Sequence, residues 1–81
     1  MKIQVTQEDI DKGNPKDCKD CPVWRALSRA LKRKDLSVGI WSCFIRKAPP
    51  ITFPENVAIL IENMIDGKEV EPFEFNIEIP S

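Results

Sequence analysis

Two neighbouring stretches, Pro54-Glu55-Asn56-Val57-Ala58-Ile59-Leu60-Ile61-Glu62-Asn63-Met64-Ile65-Asp66-Gly67 and Phe73-Glu74-Phe75-Asn76-Ile77-Glu78-Ile79, differ in hydrophobic period. In the first, Val57, Ala58, Ile61, Met64 and Ile65 recur at helical spacing, and Ile59 and Leu60 widen the stripe. Proline is tolerated where a helix begins and glycine where it stops, so a helix over residues 55–66 is expected. In the second stretch Phe73, Phe75, Ile77 and Ile79 alternate strictly with polar residues, as in a half-buried strand. A helix leading into an alternating strand places the chain in the α+β class.

Working back towards the N-terminus, Leu36 to Ile45 turns β-branched and aromatic, which predicts strands near residues 36–40 and 42–46. Gly39 is a candidate bulge, and Lys47-Ala48-Pro49-Pro50 is a turn before a short extended piece at Ile51-Thr52-Phe53. Residues 20–33 read as the main helix, with Asp20 as cap and Pro22 in the first turn. Val23, Leu27, Ala30 and Leu31 form its apolar stripe, and Arg25, Arg29, Lys32 and Arg33 form a basic ridge on another face. Lys2 to Val5 alternates as a first strand. Thr6 then caps a short helix from Gln7 to Lys12, three residues before Asp9, with Gly13 as its stop. The resulting order resembles a β-α-β-β-α-β plan, with a small sheet of three to five strands and two main helices on one face.

At 81 residues the chain fits one domain, residues 1–81, with room for a single thin core. No apolar run reaches the roughly 20 residues that span a bilayer, and Met1 to Val5 is too short for a signal core, so a cytoplasmic protein is expected. The apolar positions of residues 55–66 exceed one buried stripe. Self-association, at least as a dimer through this helix and the last strand, is therefore expected.

The net charge of −1 hides a division along the chain. Residues 16–47 carry nine basic and three acidic side chains, a balance of +6, whereas residues 48–81 carry one and seven, a balance of −6. Such a chain can bind an anion at its basic end, dock head to tail with a second copy, or match the two charges within one fold.

With no histidine and no tyrosine, the commonest general base and every Ser/His or Cys/His pair are missing, and a non-catalytic protein without a cofactor is expected. Cys18-Lys19-Asp20-Cys21-Pro22 is a C-x-x-C at a helix start, where partial positive charge and nearby lysines favour a thiolate. Three readings stand for it: a redox pair, a zinc site of Cys18, Cys21 and Cys43 completed by a carboxylate or a second subunit, or a buried Cys21 beside an exposed Cys18 with no chemistry. Trp24 and Trp41 lie near basic residues and are either core anchors or platforms on which a base stacks. The candidate anion-binding residues are Lys16, Lys19, Arg25 and Arg29, with Trp24 or Trp41 stacking; the competing reading is a solvated helix face. Neither a Gly-x-Gly-x-x-Gly run nor a P-loop is present, and the acidic pI argues against extended nucleic-acid binding. Glu69 with Glu71, and Glu74 with Glu78, read as a solvated face.

Val5-Thr6-Gln7-Glu8-Asp9-Ile10 followed by Gly13, Cys21-Pro22-Val23 with Ala26-Leu27, Ser37-Val38-Gly39, Asp66-Gly67 and Val70-Glu71-Pro72-Phe73-Glu74-Phe75 resemble a group of short phage and prophage proteins of unassigned function. The order spans nearly the whole chain. It departs at Trp24, where a small residue is expected, and at Lys47 to Pro50. The resemblance implies a phage accessory protein that antagonises host defence by binding a host protein or a nucleotide signal. The alternatives from the residues are a thiol or zinc protein using Cys18 and Cys21, and a nucleic-acid-associated phage component that contacts its partner through the basic ridge.

Overall fold

A computed structural model describes residues 1–78. Its elements run β1 (Lys2–Val5), α1 (Gln7–Lys12), α2 (Pro22–Leu31), β2 (Leu36–Val38), β3 (Ser42–Ile45), β4 (Ile51–Thr52), α3 (Glu55–Ile65) and β5 (Phe73–Asn76). The protein is α+β. Its strands divide between two antiparallel sheets, β1-β5 and β2-β3-β4, where the sequence reading has them in one. No helix among the described residues is long and apolar enough to cross a membrane.

The first and last strands meet because each alternates. Ile3 lies opposite Phe75, and Val5 opposite Phe73. Met1 and Ile77 extend the ladder by exchanging backbone bonds of 2.9 Å in both directions. Phe75 and Ile77 are buried and Phe73 half-buried, while Ile79 lies outside the described residues. In the other sheet Leu36 faces Ile45 and Val38 faces Cys43, so Cys43 and Ile45 point inward and Phe44 between them points outward. β2 is shorter than the sequence indicates because Gly39 to Trp41 form the connecting loop, closed by Gly39 N–H donating to the Ser42 carbonyl at 2.8 Å, and β3 stops at Ile45, whose carbonyl accepts the Ala48 N–H at 3.2 Å in the turn that follows.

α2 contacts both β1 and β2 and so joins the two sheets. Its cap is Cys21, whose sulfur accepts the Trp24 N–H at 3.2 Å, and not Asp20. It ends at Leu31, short of Arg33, since Lys32 takes a left-handed conformation (φ 55°) that turns the chain back towards buried Leu36. Gly67 (φ 80°) stops α3 with a Schellman pattern: its N–H bonds to the Met64 carbonyl at 3.1 Å, and Lys68 N–H to Asn63 at 2.8 Å. The apolar surplus of α3 is mostly spent inside the chain. Val57, Ala58, Ile61 and Met64 are buried, Leu60 and Ile65 are half-buried, and Ile59 alone is 51% exposed.

Candidate functional site

The basic ridge splits when the chain folds. Asp9 is only 2% exposed, the one buried charged residue among those described. It closes a capping box with Thr6, accepting the Thr6 N–H at 3.0 Å while the Thr6 hydroxyl accepts the Asp9 N–H at 3.2 Å. Arg29 then grips both Asp9 oxygens at 2.9 Å and also donates to the Gln4 carbonyl at 3.0 Å. Burial pushes the Asp9 carboxyl up, but the Arg29 and Thr6 donors outweigh it and hold the carboxyl below its ordinary range. Arg25 turns one amine to Asp20 at 3.3 Å, while its buried Nε lies 3.9 Å from Asp9 with no hydrogen bond. Arg33 pairs with Asp35. Three of the four ridge cations are thus engaged within the chain, and Arg25 and Arg29 serve α1–α2 docking.

Trp24 borders the same pair: with Asp9, Arg25, Ser28 and Arg29 it lines a cavity of about 220 Å³, so three of the six residues expected from the sequence share one space. Trp24 is half-buried, and its indole N–H donates to the Leu36 carbonyl at 2.9 Å. Trp41 is 56% exposed in the β2–β3 loop, where its carbonyl accepts the Phe53 N–H at 2.8 Å, and it is not among the residues that line the cavity beside Arg25 and Arg29.

Free positive charge gathers elsewhere. A cleft of about 400 Å³ runs along β2 and β3, lined by Lys19, Lys34 and Arg46 around the outward face of Phe44, with Ser37 at its side. Phe44 is 57% exposed. None of the three cations makes a side-chain hydrogen bond or ion pair among the described residues; the one acid of the lining, Asp35, bonds to Arg33, and the nearby charge of Arg46 adds to what holds its carboxyl below the ordinary range. The cleft is assembled from three segments by local bonds. Asn14 N–H to the Asp20 carbonyl at 2.8 Å closes the 14–20 loop, Lys19 N–H to the Asp17 carboxylate at 2.9 Å shapes it, and Val38 N–H to the Cys18 carbonyl at 2.9 Å docks it beside β2. Arg46 N–H to the Asp35 carbonyl at 3.0 Å then holds Arg46 opposite Asp35, the residue after Lys34. Of the residues expected from the sequence, Lys19 lies here. Lys16 borders a different cavity, with Cys18 and Cys21. Lys34, Phe44 and Arg46 are the residues the sequence reading passes over, although an outward aromatic between inward Cys43 and Ile45 is itself a signal of an exposed platform.

Cys18 is exposed, whereas Cys21 and Cys43 are buried, and all three are free thiols. Burial pushes the Cys21 thiol up despite its helix-start position, and it pushes Cys43 up to about 11. The thiolate expected at Cys21 is therefore opposed by desolvation. No group of three or more Cys, His, Asp or Glu side chains that could hold a metal occurs among the described residues, so Cys18, Cys21 and Cys43 do not assemble the three-sulfur zinc set.

No family model, curated protein or solved structure matches the chain.

Proposed function

We propose that the chain is a non-catalytic binding protein whose β2–β3 cleft takes a small nucleotide-like anion. The observation that carries this reading is the trio of unpaired cations, Lys19, Lys34 and Arg46, set around the exposed ring of Phe44. A guanidinium and two ammonium groups neutralise phosphate oxygens, and a flat ring accepts a base, a contact worth about 1–3 kcal/mol. Arg46 and Phe44 take the roles that the sequence gives to Arg29 and the tryptophans. In the phage setting that the resemblance implies, the activity is sequestration of a host-defence signal in the host cytoplasm.

Calorimetric titration at low salt with pyrophosphate, AMP and ADP tests it. ADP is expected to bind more tightly than pyrophosphate, and Lys34→Ala with Arg46→Ala to lose binding. Trp24 supplies a second readout, because its partner Leu36 lines the cleft. Silence across the panel at high protein concentration removes the ligand and leaves the blocking of a host protein. Self-association forms the second part of the proposal, with exposed Ile59 and Trp41 as the apolar groups a two-fold contact would cover. A monomer by light scattering at micromolar concentration, in low and high salt alike, removes that part.

A further inference from the structure

On the other side of the 14–20 loop a second cavity, of about 250 Å³, is lined by Cys18, Cys21 and Lys16 against an apolar wall that includes Val38, Ile61 and Ile65. The loop that carries Lys19 into the anion cleft thus brings both cysteines of the C-x-x-C into the lining of one space. We propose that Cys18 and Cys21 form a two-coordinate site for a soft monovalent cation, of which copper(I) is the biological representative.

The donor set decides the metal. Two thiols without a third protein ligand leave zinc two or more ligands short of its tetrahedron, whereas thiolate sulfurs are the ligands a soft copper(I) ion selects. The charge balance fits as well. Copper(I) displaces the two S–H protons to solvent and forms two S–Cu bonds, so the complex carries one negative charge. Lys16 at the cavity offers the opposite charge, and so does the start of α2, where the Cys21 sulfur already receives the Trp24 N–H at 3.2 Å. Exposed Cys18 gives the ion a way in, and the bond from Val38 N–H to the Cys18 carbonyl fixes that residue's backbone beside the cavity. The apolar wall limits competition from water. Metal capture here is independent of the anion reading, since no cleft cation takes part as a ligand.

The test uses reduced full-length protein, anaerobic copper(I) and a large excess of glutathione, which strips copper from any single surface thiol but competes less well with a chelating pair. Native mass spectrometry is expected to show one copper per chain with the loss of two protons. Cys18→Ser, at an exposed position that leaves the core intact, is expected to lose the copper. Cys43→Ala, checked for folding by circular dichroism, is expected to keep it. Copper retained by Cys18→Ser, copper lost to glutathione by the unaltered chain, or zinc held in preference to copper would each overturn the proposal.

Discussion

Arg29 and Arg46 carry the same guanidinium into opposite circumstances. Arg29 closes on a buried carboxylate that also caps α1, so its charge serves to fasten β1, α1 and α2 together. Arg46 stands just past the end of β3, where its charge reaches the Asp35 carboxylate but Arg33 makes the bonds to it, and the two lysines beside it bond to no acid among the described residues. The difference teaches that a count of basic residues does not locate a binding surface. What matters is which cations the fold leaves unanswered, and a charge fixed inside the chain is unavailable to a ligand.

The comparison is broken most directly at Asp9. Asp9→Ala leaves Arg29 with only its bond to the Gln4 carbonyl, removes the acidic half of the capping box and with it the acceptor of the Thr6 N–H. A fully buried pair costs about 3–5 kcal/mol to break, and the solvent exposure of Arg29 lowers the expected loss here to roughly 2–4 kcal/mol. Denaturant unfolding at pH 7 measures it. A loss under about 0.5 kcal/mol, the range of ordinary surface substitutions, would mean that Asp9 is no fastening.

Acid titration sharpens the same point. The Asp9 carboxyl is lower in the folded chain than its ordinary value near 3.8, so its contribution is complete above that value and is lost as the pH falls through the folded pKa. Stability measured from pH 6 down to pH 3 is expected to drop more steeply in the unaltered chain than in Asp9→Ala. Parallel curves would assign acid sensitivity to other carboxylates.

Gly13 joins the same fastening for a reason of space. Its backbone is extended (φ −77°), so left-handed freedom is not what the position requires. A Cβ there would stand 2.7 Å from the Asp9 carbonyl oxygen and 2.7 Å from the Pro22 nitrogen, both backbone atoms. Gly13→Ala is expected to cost about 1–2 kcal/mol, the steric penalty being partly offset by a stiffer unfolded chain. A stabilised variant would show that the junction of α1 and α2 yields easily.

The fastening and the cleft were not equally legible in the sequence. Thr6 with Asp9, Gly67 after α3 and the alternation of Phe73, Phe75 and Ile77 are local signals, and each element they announce is present near its expected bounds. Asp9 as the partner of Arg29 was hidden because twenty residues separate them, and helical spacing alone could place the arginines only on a ridge. The cleft was harder still. Lys19, Lys34 and Arg46 come from a loop, a helix exit and a strand end, and only the docking of Cys18 on Val38 and the pairing of Leu36 with Ile45 bring them together. Cys21 displaced Asp20 as the cap because its sulfur lies at the buried end of the helix, a matter of packing that propensity does not report.

The smallest expected effect on folding is the most informative about the cleft. If Lys34 and Arg46 are unanswered charges, replacing both by alanine removes no hydrogen bond or ion pair found among the described residues, and stability should stay within about 0.5 kcal/mol for each. Relief of repulsion between neighbouring cations favours a slight gain. Anion affinity should move in the opposite sense, falling with each charge removed, and its salt dependence should weaken because fewer screened contacts remain. Phe44→Leu separates the ring from the charges: ADP affinity should fall while pyrophosphate affinity holds, since only the nucleotide has a base to stack. Equal loss of both ligands in Phe44→Leu would show that the ring shapes the cleft wall and contacts no base. A double-alanine variant that unfolds at pH 7 would place Lys34 and Arg46 with Arg29 among the fastenings, and the contrast between the two regions would disappear.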